Sequence, residues 1–193
     1  MCGRYYVDDE TTREIEKIVR DLDQKLKAEA GRDIRPSGNA LVLKQKEQQL
    51  QAGSMQWGFP GYQGNGLIIN ARSEGVLEKK TFCESIKHRR CVVPAKGFYE
   101  WSPQKEKYRF TRSDSPVLFM AGCFRQFGGT DRFVILTTEA NASVAAVHDR
   151  MPLVLERQEA EDWILDDACV EYILHKAPVL LERQADYEQM RLF

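Results

Sequence analysis

The sequence predicts an α+β fold, in which a mostly antiparallel, curved or barrel-like β-sheet carries peripheral helices. From residue 91 to residue 155, runs rich in Val, Ile, Phe and Tyr repeat between turn signals, which is typical of successive short strands. Apolar residues at helical spacing occur near the N-terminus and in short segments outside this region. Because strands occupy the middle of the chain and helices its margins, the two are segregated as in α+β domains.

The first thirty residues predict a strand followed by an amphipathic helix. Residues 3–7 alternate loosely between polar and apolar side chains, as a short strand does. Thr11 and Glu14 have capping-box spacing, so we expect a helix to begin there and to end by Gly31. Its apolar residues recur at helical intervals and predict a face that packs on the core: Ile15, Ile18, Val19, Leu22 and Leu26.

Beyond Gly31 the pattern changes to loops and strands. Residues 32–39 predict a polar loop with Pro and Gly, and two apolar runs between 40 and 59 flank a polar stretch, as in a hairpin. Gly-Gly-Thr-Asp at 128–131 predicts another turn. Short helices are expected near 81–87, 158–165 and 169–175.

Length and charge limit the possible functions. The chain has 193 residues, of which 42% are apolar, and this suits one domain spanning residues 1–193. Its 28 basic and 29 acidic residues give a net charge of −1, so the total charge does not indicate a polyanionic partner. A nucleic-acid site would therefore have to be a local basic patch.

Five cysteines form an odd set without a CxxC pair, which favours free thiols in a reducing, cytoplasmic setting. Cys83, His88 and Cys91 match no zinc-ligand spacing, so we predict no metal and no other cofactor. No run of 18 apolar residues is present, and neither a membrane span nor a leader peptide is expected.

The most informative residue is Cys2, which directly follows Met1. Removal of Met1 would leave a free 1,2-aminothiol, whose amine titrates near about 7.7–8.0 and whose thiol titrates near about 8.5. Both groups are then partly nucleophilic at neutral pH, and together they can condense with an aldehyde to a five-membered thiazolidine. The alternative is that Cys2 is simply a small residue that the methionine-removing enzyme tolerates.

Three further strings each place a polar or ionisable residue at the end of an apolar segment. They are Asn70-Ala71-Arg72, Gly97 to Trp101, and His148 to Pro152. Each has an ordinary structural explanation: Asn70 can end a strand, Glu100 can point outward from one, and His148 can be a buried histidine with its hydrogen bonds satisfied. Singly, the three strings do not identify a site.

Together with Cys2, these strings resemble the SOS-response-associated peptidase family, whose bacterial and animal members crosslink themselves to abasic sites in single-stranded DNA. The similarity runs from Met1 to about Leu155. Its markers are Cys2-Gly3-Arg4, Arg35-Pro36, Trp57-Gly58, Asn70-Ala71-Arg72, Arg90-Cys91-Val92-Val93-Pro94, Gly97 to Trp101, and His148 to Pro152. The charged segment 182–193 departs from the family, whose members continue with a further strand and loop.

The resemblance implies that Cys2 is the nucleophile once Met1 is removed, with Asn70, Glu100 and His148 around it. The Asn70 amide can hold the amine or its adduct by hydrogen bonds. Glu100 lies between two aromatic residues that limit its solvation, so we expect a raised pKa and a role in proton transfer. His148 can protonate the departing sugar ring oxygen or stabilise the 3′ phosphate.

Single-stranded DNA requires aromatic stacking surfaces beside cations that follow the backbone. Trp57 and Trp101 fit the first need, although each can equally be a core residue. Arg72 is the leading phosphate ligand, whereas His88-Arg89-Arg90 is interpreted as a solvated face. The candidate DNA contacts are Arg4, Arg35, Pro36, Trp57, Arg72, Lys80, Trp101, Thr137 and Arg150.

Three other functions remain open. Cys2, His148 and Asn70 imitate a cysteine-histidine-asparagine triad, so a thiol peptidase that processes Met1 is one of them. A glutamine amidohydrolase with an N-terminal nucleophile also begins with Cys2, but only Asn65-Gly66 supports it further. A noncatalytic single-strand binder would not need Cys2. The preferred function is a monomeric, abasic-site crosslinking protein, with lyase or peptidase classification and replication-fork association in a bacterium.

Overall fold

The computed structural model describes residues 2–19 and 32–185, apart from the side chains of Arg32 and Gln63. Its helices are α1 Asp9–Glu16, α2 Cys83–His88, α3 Arg157–Leu165 and α4 Val170–His175, with 3₁₀ turns at Tyr62–Gly64 and Ser73–Gly75. Its strands are β1 Tyr5–Val7, β2 Arg32–Ile34, β3 Asn39–Lys46, β4 Gln49–Trp57, β5 Phe59–Pro60, β6 Leu67–Ile68, β7 Asn70–Arg72, β8 Arg90–Ala95, β9 Gly97–Trp101, β10 Lys107–Thr111, β11 Leu118–Phe127, β12 Thr130–Glu139, β13 Arg150–Pro152, β14 Val154–Leu155 and β15 Glu182–Ala185.

Five strands close into a barrel at the centre of the molecule. Strand β3 pairs with β4 and with β8, β8 pairs with β11, and β11 pairs with β12, all antiparallel. A short parallel pairing of β12 with β4, at Phe133 and Trp57, completes the ring. The predicted antiparallel, barrel-like sheet is therefore confirmed, and closure leaves these five strands few free edges.

A second, antiparallel sheet lies beside the barrel and carries the start of the chain. Its strand order is β15-β10-β9-β1-β2. Strand β1 lies between β9 and β2, with Tyr5 opposite both Phe98 and Ile34. This pairing fixes Cys2, only three residues ahead of Tyr5, near the strand that contains Glu100.

Both faces are buried along β8, the first half of β11 and the middle of β12. Along β11, Leu118 and Met120 belong to an apolar cluster with the second sheet, whereas Phe119 and Ala121 belong to a cluster with the helices. Trp163 of α3 is fully buried in the helix cluster. Burial on two faces explains why these strands are nearly continuous apolar runs rather than alternating patterns.

The first helix begins earlier than its predicted capping box. The Asp8 carboxylate accepts a hydrogen bond from the Thr11 amide at 2.8 Å and therefore caps α1. The prediction that Thr11 starts the helix was wrong, because Asp8 satisfies the exposed amides of the first turn and places a negative charge at the positive end of the helix dipole. The predicted helical residues Leu22 and Leu26 lie outside the described residues.

The local predictions further along the chain are largely confirmed. The hairpin of β3 and β4 turns at Glu47 and Gln48, and the turn at Gly128 and Gly129 joins β11 to β12 with both residues at positive φ. Such two-residue turns match the twist of the strands they join, and glycine adopts them without strain. Helices α2, α3 and α4 begin within two residues of the predicted positions.

Two predicted loops were wrong because they pair with distant strands. Residues 32–34 form β2, which pairs with β1, although a loop was expected there. Residues 182–185 form β15, which pairs with β10, although only a charged tail was expected. Residues 186–193 of that tail lie outside the described residues. Within the described part of the chain, no helix is long and apolar enough to cross a membrane.

Candidate functional site

Cys2 is fully buried at the junction between the second sheet and the barrel. All five cysteines are free thiols, as the sequence predicted. Burial raises the pKa of the Cys2 thiol, and the nearby charge of Glu100 raises it further. The thiol is therefore held neutral in the chain that retains Met1.

Asn70 is positioned by β7, which pairs in parallel with β12 so that Asn70 lies opposite Ile135. Its Nδ2 donates a hydrogen bond to the Cys2 carbonyl oxygen at 2.9 Å. Its Oδ1 is buried and has no hydrogen-bond donor among the residues that the structure describes. The amide thus holds the backbone of Cys2 and keeps an acceptor available beside it.

Glu100 lies in β9, opposite Tyr108 of β10, and only 3% of it is exposed. Burial raises the pKa of its carboxyl, while the neighbouring charge of His148 acts in the opposite direction. A carboxyl whose charged form is poorly solvated can accept or release a proton closer to neutral pH than an exposed one.

His148 lies in the loop between β12 and β13, where its amide bonds to the Val144 carbonyl at 3.1 Å. Its Nδ1 is 3.0 Å from the Arg150 amide nitrogen and 2.8 Å from Asp149 Oδ1. In the neutral ring, Nδ1 accepts the Arg150 N–H and Nε2 carries the proton; in the charged ring, Nδ1–H can donate to Asp149. The ring is thus held between the Arg150 amide and the Asp149 carboxylate.

The structure brings the four predicted catalytic residues together from four separate parts of the chain. A hydrogen bond joins Asn70 to Cys2, the charge of Glu100 acts on the Cys2 thiol, and the charge of His148 acts on Glu100. Such a cluster contains a nucleophile, a carboxyl of raised pKa and an imidazole, which are the groups needed for covalent chemistry with proton transfer.

Several of the predicted DNA contacts are accessible to solvent. Arg35, Arg72 and Lys80 are exposed, and Pro36 is half-buried. Trp101 is 39% exposed. Arg4 is half-buried and forms an ion pair with Asp33.

The prediction that a base stacks on Trp57 was wrong. Trp57 is fully buried, its Nε1 donates to the Ile69 carbonyl at 2.9 Å, and its ring stacks on Phe133 at a centroid distance of 6.1 Å. The parallel pairing that closes the barrel lies at this residue, so both faces of the indole pack on protein. Trp57 is a core residue.

Two further predicted DNA contacts, Thr137 and Arg150, are buried and hydrogen-bonded to other residues of the protein. Thr137 is fully buried, and its hydroxyl donates to the Ala71 carbonyl at 3.5 Å. Arg150 is 8% exposed; its two terminal nitrogens bond to the Glu74 carboxylate at 2.8 Å, and one also donates to the Thr137 carbonyl at 2.8 Å. Contrary to the prediction, these groups are not available to a phosphate in this structure.

Sequence reasoning missed Glu74, the carboxylate that holds Arg150. Partial burial acts to raise its pKa, but the hydrogen bonds from Arg150 and from backbone amides, together with the charge of Arg150, lower the pKa overall. The pair connects the turn after Asn70 to the strand after His148. The only sequence signal for it is that an acidic residue follows Asn70 four positions later.

A basic cleft of about 420 Å³ lies elsewhere, beside the β3–β4 turn, and includes Lys46, Arg89 and Arg90. Arg90 is 7% exposed and bonds to the Ile86 carbonyl at 3.0 Å and to Asp167 at 2.6 Å. The expectation that Arg90 belongs to a solvated face was therefore wrong. The Arg90 guanidinium therefore links β8 to α2 and to the end of α3.

Comparison with known proteins identifies related chains. The family model of the SOS response associated peptidase (SRAP) matches residues 1–190. The abasic site processing protein YedK of Escherichia coli is 29% identical over 178 residues, which cover 85% of this chain and 79% of that protein. The abasic site processing protein HMCES of Gallus gallus is 32% identical over 124 residues, covering 49% of this chain and 37% of that protein.

A solved structure shares the fold. The crystal structure of a protein from Bacteroides thetaiotaomicron superposes with a TM-score of 0.80, covering 97% of this chain and 93% of that chain. The sequence identity of that pair is 20%, so the likeness concerns the fold alone.

Proposed function

Because the chain belongs to the SOS response associated peptidase family, we propose that it processes abasic sites in single-stranded DNA by bonding covalently to them through Cys2. Support comes from relatives that are named abasic site processing proteins. The observation that carries the proposal is the hydrogen bond from Asn70 to the Cys2 carbonyl. That carbonyl remains when Met1 is removed, so the contact can hold the new N-terminus in place.

The reaction begins with removal of Met1, by a methionine-removing enzyme or by the chain itself. The neutral amine of Cys2 then attacks the aldehyde carbon of the ring-opened abasic sugar and forms a carbinolamine. Loss of water gives an imine. The Cys2 sulfur adds to the imine carbon, and its proton passes to the nitrogen, so that a thiazolidine closes with the net loss of one water.

Glu100 and Asn70 serve this sequence in different ways. Dehydration of the carbinolamine needs a proton donor to the leaving oxygen, and closure needs an acceptor for the thiol proton. A buried carboxyl with a raised pKa can do both in turn. We propose that the buried Asn70 Oδ1 accepts a hydrogen bond from the amine or its adduct.

His148 and the exposed cations act on the sugar and the phosphates. His148 donates a proton to the ring oxygen as the sugar opens, or stabilises the 3′ phosphate. Arg35, Arg72 and Lys80 contact backbone phosphates, and Arg72 is the nearest of them to Asn70 in the chain. We propose that the protein acts in the cytoplasm as a monomer on single-stranded DNA.

Substitutions of Cys2 test this mechanism directly. Without a thiol, Cys2→Ala gives no heat-stable adduct, whereas Cys2→Ser retains the amine and gives an imine that borohydride traps. The measurement is denaturing gel mobility of a labelled abasic oligonucleotide after incubation with protein lacking Met1. An undiminished heat-stable adduct from Cys2→Ala would refute the mechanism, and glutamine hydrolysis by the wild type would favour the amidohydrolase instead.

A further inference from the structure

The loop that carries His148 contains a turn that starts at Asn141. The Asn141 carbonyl accepts hydrogen bonds from the amides of Val144 at 3.0 Å and Ala145 at 2.9 Å. Its side-chain Oδ1 accepts the Ser143 amide at 3.1 Å, as in an Asx turn. The Val144 carbonyl then accepts the His148 amide at 3.1 Å. Asn141 therefore fixes the start of a turn that ends at His148.

Asn141 also joins this loop to a segment that is distant in sequence, residues 178–181, which directly precedes β15. Its Nδ2 donates hydrogen bonds to the Pro178 carbonyl at 3.0 Å and to the Val179 carbonyl at 2.9 Å. A side-chain amide has two N–H donors and one acceptor oxygen. Both donors of Asn141 thus go to the 178–181 segment, whereas its oxygen serves the loop.

Ser143 adds a second link between the loop and the 178–181 segment. Its hydroxyl donates to Asn141 Oδ1 at 2.6 Å and accepts the Leu181 amide at 3.0 Å. Leu181 is 7% exposed and belongs to the same buried apolar cluster as Val144 and Cys2. The loop and the segment are therefore fixed to each other by hydrogen bonds and by burial in one cluster.

The 178–181 segment also connects the loop to the sheet that contains Glu100. The segment continues into β15, where Ala185 lies opposite Tyr108 of β10. Tyr108 in turn lies opposite Glu100 of β9. The segment therefore links the element that carries His148 to the element that carries Glu100, two residues whose charges interact.

We propose that Asn141 is a positioning residue, which holds the His148 loop on the 178–181 segment and so fixes the imidazole where it acts on the abasic sugar. In the part of the chain that the structure describes, Asn141 makes no hydrogen bond to the four candidate catalytic residues. Its effect must therefore pass through the loop. Displacing a reacting group by about 1 Å can cost on the order of 100-fold in rate. The proposal rests on the proposed function for the reaction that His148 serves.

The first test measures the loop without DNA. Asn141→Ala removes both donors and the acceptor, so the amides of residues 144–148 lose protection from hydrogen exchange, as measured by mass spectrometry of the intact chain after proteolysis. Asn141→Asp keeps the acceptor for Ser143 but has no donor for the segment, and it loses the same protection. The control is Ser115→Ala, which removes two side-chain hydrogen bonds to Val117, at 2.9 and 3.2 Å, in another loop. This control leaves exchange at residues 144–148 unchanged.

The second test measures crosslinking to a closed abasic sugar by the chain lacking Met1. Asn141→Ala slows the reaction by about 10- to 100-fold, and Ser115→Ala does not. In a double-mutant cycle, Asn141→Ala has no further effect on a chain that already carries His148→Ala, because the imidazole through which it acts is absent. A residue that supports only the general fold would slow both chains by the same factor.

Equal slowing with and without His148 would overturn the proposal. Wild-type protection and rate in Asn141→Asp would also overturn it, because the contact with the 178–181 segment would then be unnecessary. If Asn141→Ala lowers the melting temperature more than Ser115→Ala does, Ser143→Ala replaces it in both tests, since it removes the bond to Leu181. Failure of the wild type to crosslink would reject the proposed function, but exchange at residues 144–148 would still decide whether Asn141 holds the loop.

Discussion

Glu100 is the buried carboxyl of the candidate site, and its raised pKa has a cost for folding as well as the use in proton transfer that we propose. Below the pKa of the unfolded chain the carboxyl is neutral in both states, and the cost is absent. Between the unfolded pKa and the higher folded pKa, the unfolded chain ionises while the folded chain keeps its proton, so stability falls as pH rises, and above the folded pKa the full cost is present. A difference of one in pKa corresponds to about 1.4 kcal/mol.

Glu100→Gln therefore separates stability from reactivity. It keeps the shape of the side chain but cannot exchange a proton, so crosslinking slows by about 10²–10⁴-fold at unchanged affinity for single strands. The same variant is more stable than the wild type at pH 8, and the difference disappears in acid. Thermal unfolding across pH and single-turnover crosslinking measure the two effects. If Glu100→Gln crosslinks at the wild-type rate from pH 5 to 9, Glu100 has a structural role instead.

His148 differs from Glu100 in the step it serves. If it protonates the sugar ring oxygen, His148→Ala slows crosslinking to a closed abasic sugar. An oligonucleotide that carries an already open aldehyde then restores the rate of His148→Ala more than that of Glu100→Gln. Equal restoration of both variants would instead place His148 at the phosphate or at a later step.

At the scale of elements, the tryptophan that ends β4 and the tryptophan that ends β9 differ in burial and therefore in their expected roles. Trp57 is fully buried, and Trp101 is 39% exposed. Trp57→Ala is expected to lower the free energy of unfolding by about 3–5 kcal/mol, as large-to-small changes in a core do. Trp101→Ala leaves stability nearly unchanged and weakens single-strand binding by about 1–3 kcal/mol, the value of a lost base stack.

Denaturant unfolding and binding of an undamaged oligonucleotide measure the two tryptophan variants side by side. The account is wrong at this scale if Trp57→Ala folds with wild-type stability and loses DNA binding. It is equally wrong if Trp101→Ala unfolds the protein, because an exposed indole would then be supporting the core.

Local patterns in the sequence were sufficient for elements formed by neighbouring residues. The β3–β4 hairpin and helices α2 to α4 depend on turns and helical spacing within one stretch of chain. Strands β2 and β15 escaped prediction because their hydrogen bonds are made to β1 and β10, which are distant in sequence. The burial of Trp57 escaped for the same reason, since it follows from the pairing of β4 with β12.

The candidate site was easier to predict than its surroundings. Cys2, Asn70, Glu100 and His148 lie in short strings with specific chemistry, and a family resemblance places such strings in one site. The partners Glu74 and Asp33 could not be predicted, because nothing in a single sequence indicates which carboxylate faces which arginine. The roles of the four site residues stay predictions until the variants are measured.

At the scale of the whole molecule, the barrel and the second sheet act as a fixed support. One carries Asn70 and the other carries Glu100, and the N-terminal strand between β2 and β9 delivers Cys2 to both. Strong burial of this junction keeps the geometry fixed before DNA binds. Under the proposed mechanism, the site then needs only the removal of Met1 and the arrival of an aldehyde.

The central claim is that Cys2 joins the protein to an abasic site through a closed thiazolidine. Intact-protein mass spectrometry of the chain lacking Met1, after incubation with an abasic single-stranded oligonucleotide and then with denaturant, tests it most directly. We predict one species at the sum of the protein and oligonucleotide masses less one water, stable without a reductant and reduced in yield with duplex DNA. Recovery of unmodified protein, or an adduct that survives only after borohydride, would contradict the account.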